Sequence, residues 1–165
     1  MRTEHQANRA IERYADLVYK ICIVHLKNRA DTEDIFQTVF LKYVLYPREF
    51  ESEEHEKAWI IRVTINACKD LLKSFFRSRT VSLEELDAPV IQQLPQQDSV
   101  VLQAVLELDP KYRDVVYLFY YEQYTAPEIA KILGKKENTV YTRLARARGL
   151  LKEKLGGETF ESRNL

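Results

Sequence analysis

The chain has 165 residues and is 45% apolar, enough to bury a core in one domain or in two small ones. Lys and Arg total 25 and Asp and Glu total 25, so net charge alone points to no polyanionic partner. Any nucleic-acid surface must come from uneven placement of that charge. Two cysteines, Cys22 and Cys68, make no disulfide framework; each sits in an apolar helical pattern and reads as a buried reduced thiol. No stretch reaches the roughly 18 apolar residues that span a bilayer. The opening MRTEHQANRAIERY lacks the apolar core of a signal peptide. A cytosolic chain without membrane insertion is expected. Four Gly, five Pro, no strand alternation and no internal repeat predict an all-helical fold.

Residues 11–26 read as the first helix, with Ile11, Tyr14, Leu17, Val18, Ile21, Cys22 and Leu26 on its buried face. A short polar connection follows, and Asp31 or Thr32 is expected to cap the next helix, with Glu33 and Asp34 favouring its dipole. That helix, DIFQTVFLKYVLY, ends before Pro47. Its apolar residues Ile35, Phe36, Val39, Phe40, Tyr43 and Val44 cover a wide arc. Either it is an ordinary core helix, or it also docks a partner.

Residues 48–57, REFESEEHEK, read as a charged connection, and residues 58–77 as the third helix. There Arg62, Asn66, Lys69, Lys73 and Arg77 recur at spacings of four, three, four and four, so they share one stripe. A basic stripe containing an amide, near Trp59, suits a phosphate backbone and one held base. A solvated lysine face is the plain alternative. Residues 78–98, with two Pro, a run of Gln and the acidic Glu84, Glu85 and Asp87, read as a linker that splits the chain into two domains.

Residues 99–108 form a helix with Val101, Val105 and Leu108 inward, and Asp109-Pro110 restarts the chain into another, lined by Tyr112, Val115, Val116, Leu118 and Phe119. Residues 124–155 then read as a helix-turn-helix. Thr125 and Glu128 have capping-box spacing, Pro127 lies in the first turn, and Gly134 supplies a left-handed stop. In the last helix Val140, Leu144, Ala147 and Leu151 share one face. Asn138, Thr139, Thr142 and Arg146 lie opposite, with Tyr141 and Arg143 on the flanks. A cationic, hydrogen-bonding face of this kind suits a major groove. An amphipathic helix that binds nothing is the plain alternative. His5, His25 and His55 are scattered, with no metal-ligand spacing and no phosphate-cradling Gly loop. No enzyme activity, metal or cofactor is expected.

Two stretches carry a resemblance. LDPKYRDVVYLFYYEQYTAPEIAKILGKKENTVYTRLARARGLLKEKL resembles the pattern Leu-Pro-x-x-Tyr-Arg, Glu-Ile-Ala-x-x-Leu-Gly, Thr-Val-x-x-Arg-Leu-x-Arg-Ala-Arg of the bacterial extracytoplasmic-function sigma factors. ADTEDIFQTVFLKYV and AWIIRVTINACKDLL are similar to that family's polymerase-binding helix and −10 reading helix. The resemblance implies two all-α domains, a region 2 domain at 8–77 and a region 4 domain at 99–155, joined by the acidic linker at 78–98; the terminal stretch GGETFESRNL, 156–165, is itself expected to be a disordered tail. It implies that Asp34, Ile35, Gln37, Phe40, Leu41 and Tyr43 dock on the clamp helices of core RNA polymerase. Trp59, Arg62, Asn66, Lys69 and Lys73 would hold the melted −10 strand. Asn138, Thr139, Tyr141, Thr142, Arg143, Arg146 and Arg148 would read the −35 duplex, with region 4 near the polymerase flap. An anti-sigma factor would cover apolar surface around Phe36, Phe40 and Tyr43. The chain departs from the pattern at Lys136-Glu137-Asn138, where the usual Ser or Thr cap is missing, and at Tyr141 and Gly149. The competing function is a free-standing regulator that binds duplex DNA without polymerase.

Overall fold

The computed structural model describes residues 1–26, 28–78 and 99–156, which hold helices and connecting turns and no strand. The chain divides into two compact units, Met1–Leu94 and Pro95–Leu165. Apart from Ser78 and Gly156, the expected linker and tail lie outside the described residues.

The first unit holds α1 (Glu4–Leu26), α2 (Arg29–Leu45) and α3 (Glu53–Ser78). α1 begins at Glu4 rather than residue 11, because Thr3 and Gln6 form a reciprocal cap. The Gln6 N–H donates to Thr3 Oγ1 at 3.2 Å and the Thr3 N–H to Gln6 Oε1 at 2.9 Å. The cap of α2 is Asn28, not Asp31 or Thr32: its side chain accepts from the Asp31 N–H at 3.1 Å. The Thr32 hydroxyl is turned back onto the Asn28 carbonyl at 2.6 Å. α3 absorbs half of the expected charged connection. Ser52 Oγ accepts from the His55 N–H at 3.1 Å, and Glu53, Glu54 and Glu56 place negative charge in the first turn, where the dipole favours it.

Val18, Ile21, Cys22, Val39, Ile60, Ile61, Ile65 and Cys68 fill the seam between these helices. The free thiols of Cys22 and Cys68 lie 3.9 Å apart. One carboxylate ties all three helices together: Glu56 accepts from the Tyr14 hydroxyl at 2.8 Å and from the Tyr43 hydroxyl at 2.9 Å. Burial first, and then Glu56, raise the Tyr14 and Tyr43 phenols above their ordinary range.

The second unit holds α4 (Ser99–Leu106), α5 (Pro110–Val116), a π-helical turn over Tyr117–Tyr121, α6 (Ala126–Leu133) and α7 (Glu137–Leu155). Its core joins Val101, Ala104, Val105 and Leu108 to Tyr112, Val116, Ala147 and Leu151. Burying each large aliphatic side chain contributes about 1.5–3 kcal/mol. Pro110 occupies N1 of α5, yet the Asp109 side chain makes no cap hydrogen bond. The Asp109 carbonyl instead accepts from the Tyr112 and Arg113 N–H groups. Among the described residues, no helix is long and apolar enough to cross a membrane.

Candidate nucleic-acid interface

α6 and α7 meet through a turn whose chemistry is local. The Glu128 N–H donates to Thr125 Oγ1 at 3.3 Å, while the Thr125 N–H returns to Glu128 Oε1 at 3.0 Å. The Thr125 N–H and then its hydroxyl hold the Glu128 carboxyl below the usual carboxylate range. Gly134 closes α6 at φ 65°, a left-handed conformation that favours glycine. The Lys135 N–H then reaches back to the Ala130 carbonyl at 2.9 Å. α7 starts without a side-chain cap, at Lys136, as the sequence implied; Glu137 alone complements the dipole of its first turn.

Val140, Leu144, Ala147 and Leu151 bury one face of α7, none more than 3% exposed. That packing fixes the rotation of the helix and turns Asn138, Tyr141, Thr142 and Arg146 outward, with Thr139 and Arg143 half-buried beside them. Asn138, Thr139, Thr142, Arg143 and Arg146 line a shallow concavity of ≈ 340 Å³ together with Lys111 and Tyr112 of α5. The sequence reading gave Lys111 no role. Its signal was its place inside the motif LDPKYR, but only the fold sets α5 beside α7. The Thr142 hydroxyl donates to the Asn138 carbonyl at 2.8 Å, which leaves its lone pairs and methyl for an incoming group. Tyr141 and Arg148 lie on another flank. The Arg148 Nε donates to the Tyr120 hydroxyl at 2.8 Å, and its guanidinium lies 5.9 Å from the Phe119 ring centroid. Arg148 therefore braces the π-helical turn, and its Nε is committed there.

In the first unit, Arg62, Asn66 and Lys73 are exposed along α3, with Trp59 and Lys69 half-buried on the same stripe. Trp59 packs at 4.7 Å from the Tyr46 ring and 5.6 Å from the Phe50 ring, both on the connection between α2 and α3. The six α2 residues expected to dock a partner divide into two sets. Asp34, Gln37 and Leu41 are exposed. Ile35, Phe40 and Tyr43 are 7%, 6% and 5% exposed, because the wide apolar arc of α2 is used up by α1 and α3. Of the apolar positions expected to meet an anti-sigma partner, Phe36 is half-buried and Phe40 and Tyr43 are buried; the most open apolar side chains of α2 are Leu41 and Leu45, at 60% and 58%. Among the described residues, no group of three or more His, Cys, Asp or Glu is placed to hold a metal ion.

Comparison with known proteins assigns both units. A family model described as Sigma-70 region 2 matches residues 10–79, and one described as Sigma-70, region 4 matches residues 98–151. The RNA polymerase sigma-E factor of Streptomyces coelicolor is 30% identical over 143 residues, covering 82% of this chain and 77% of its own length. The ECF RNA polymerase sigma factor SigW of Bacillus subtilis is 26% identical over 164 residues, covering 88% of this chain and 86% of its own. The sigma factor RpoE of Bartonella quintana, solved in complex with the anti-sigma factor NepR, shares the fold at a TM-score of 0.70 and 18% identity, covering 92% of this chain and 97% of that one. With the two region matches in order along one polypeptide and relatives spanning both, the chain belongs to the extracytoplasmic-function sigma factors of the sigma-70 family.

Proposed function

We propose that this sigma factor selects promoters by two contacts that core RNA polymerase makes simultaneous. α7 reads the −35 element as duplex DNA through Thr139, Thr142, Arg143 and Arg146, with Lys111 on the neighbouring phosphate backbone. Arg62, Asn66, Lys69 and Lys73, with Trp59, hold the melted −10 strand, and Asn66 lines the pocket for one extruded base. Unstacking that base costs a few kcal/mol, which polar contacts and ring stacking offset. Core enzyme fixes the separation of the two modules, so two weak contacts act as one bivalent contact. A chain of zero formal net charge can therefore be selective. The protein acts in the cytoplasm with polymerase and performs no catalysis of its own.

Asp34, Gln37 and Leu41 make the polymerase contact, and Ile35, Phe40 and Tyr43 hold α2 in place for it. An anti-sigma partner would cover the same side of α2, where Leu41 and Leu45 leave apolar surface open. The observation that carries this reading is the pairing of region 2 with region 4 in one chain. A free-standing duplex binder leaves the region 2 match without a use.

Run-off transcription with purified core polymerase across a genomic library tests it. The expected result is initiation at a discrete promoter set that core enzyme ignores alone. Unchanged initiation would end the proposal. Arg146→Ala should then cost about 1–3 kcal/mol at the −35 element, lost at one base position if the contact is to a base edge. An equal loss on every sequence would make it a phosphate contact.

A further inference from the structure

One side chain ties the arm ahead of α1 to the connection between α2 and α3. The Thr3–Gln6 cap fixes the start of α1, and the Arg2 N–H donates to the Val44 carbonyl at 3.0 Å. From there the Arg2 guanidinium reaches the end of α2. Its Nη1 donates to the Tyr43 carbonyl at 3.1 Å and to the Tyr46 carbonyl, and its Nη2 donates to the Arg48 carbonyl at 2.8 Å. Its carbon lies 4.6 Å from the Tyr43 ring centroid, 4.9 Å from Phe50 and 5.7 Å from Tyr46.

Each contact has a physical reason. The last carbonyls of a helix lack intrahelical partners and carry partial negative charge. Pro47 has no N–H to give, so the connection has few backbone bonds to hold itself with. A flat cation with a fork of donors can satisfy carbonyls on both sides of Pro47 and still lie on ring faces. The rings it lies against, Tyr43, Tyr46 and Phe50, all pack on Trp59. Trp59 stands seven residues before Asn66, two helical turns along the same side of α3.

We propose that Arg2 is a positioning residue for capture of the melted −10 strand. It fixes the connection between α2 and α3, and with it the plate of Tyr46, Phe50 and Trp59 that borders Arg62 and Asn66. This rests on the sigma-factor reading given above. Arg2 itself need not touch DNA, since both of its terminal nitrogens and its flat face are already engaged within the fold.

The test uses the full chain with purified core polymerase and three variants, Arg2→Ala, Arg2→Lys and Asn66→Ala. Trp59 is the only tryptophan, so its emission and its quenching by acrylamide report the plate directly. Permanganate reactivity of promoter thymines reports opening, and core affinity is measured separately. Both Arg2 variants should bind core as the parent does, expose Trp59 to quencher, and open promoters on the order of tenfold less well. Arg2→Lys keeps the charge but loses the fork, so it should fail in the same direction. Normal opening by both Arg2 variants, with Asn66→Ala defective, overturns the positioning role and leaves the sigma-factor reading standing. Loss of core binding in step with opening in both variants would reduce Arg2 to a brace for the fold and also overturn it. Normal opening by Asn66→Ala would remove the −10 assignment of α3, and the proposal with it.

Discussion

The two units hold their working surfaces by opposite means. In the second, α7 is pinned from behind by apolar side chains, and the turn before it is set by backbone caps. In the first, the connection beside Trp59 is not helical and borrows its order from a polar group elsewhere, the Arg2 guanidinium, while the Glu56 carboxylate ties the three helices around it. Under the function proposed above, the difference follows from what each surface meets. Duplex DNA offers a regular groove, and a straight helix fits it. A single strand with splayed bases needs a shaped, irregular surface, whose backbone groups must find partners outside any ladder.

The comparison can be broken most severely at Leu151. It is fully buried in the second core, so Leu151→Ala should cost about 2–5 kcal/mol. Denaturation of the full chain followed by far-UV circular dichroism should split, while the Trp59 fluorescence midpoint stays put. A Trp59 midpoint that moved as well would mean that the units do not unfold independently. Glu56→Ala should do the reverse. It strands two tyrosine hydroxyls and should lower the Trp59 transition by about 2–3 kcal/mol, leaving the other transition unmoved.

Alkaline titration sharpens the contrast. Tyr14, Tyr43 and Tyr117 all have phenols raised by burial, helped by Glu56 in the first unit and Glu122 in the second. Each stays protonated in the folded chain at a pH where the unfolded chain has released it. Their contribution is therefore complete below about pH 10 and is lost as pH rises beyond it. Denaturant midpoints at pH 9, 10 and 11 should fall, and Tyr14→Phe should flatten the fall in the Trp59 signal alone. The smallest effect is a gain. Gly149 lies within α7, and nothing stands within 4 Å of an added Cβ. Gly149→Ala should add about 0.5–1 kcal/mol to the second unit, seen as a higher midpoint by circular dichroism.

Features set by local chemistry were legible in the sequence. Thr125, Glu128 and Gly134 lie within ten residues of one another and do what their types do anywhere. The inward face of α7 followed from periodicity, and Val140, Leu144, Ala147 and Leu151 are buried. What periodicity could not see were polar helix starts. Glu4 to Ala10 and Glu53 to Lys57 carry no apolar stripe, yet caps at Thr3 and Ser52 make them helical. The Thr3-x-x-Gln6 spacing was a readable signal that went unread. Burial of Ile35, Phe40 and Tyr43 was not legible, because a wide apolar arc serves equally for two neighbours or for a neighbour and a partner. Arg2 was out of reach altogether, since its partners lie 41 to 46 residues away.

The π-helical turn Tyr117–Tyr121 carries a consequence of its own. Such a turn is an α-helix with one residue inserted, and the surplus advances all later side chains by about 100°. Tyr117 and Leu118 stay inside while Tyr120 comes round to Arg148. Deleting Tyr117, Leu118 or Phe119 would reset that phase and carry the Tyr120 hydroxyl away from its guanidinium. The number of residues in this pentapeptide is thus as much a part of its message as their identities.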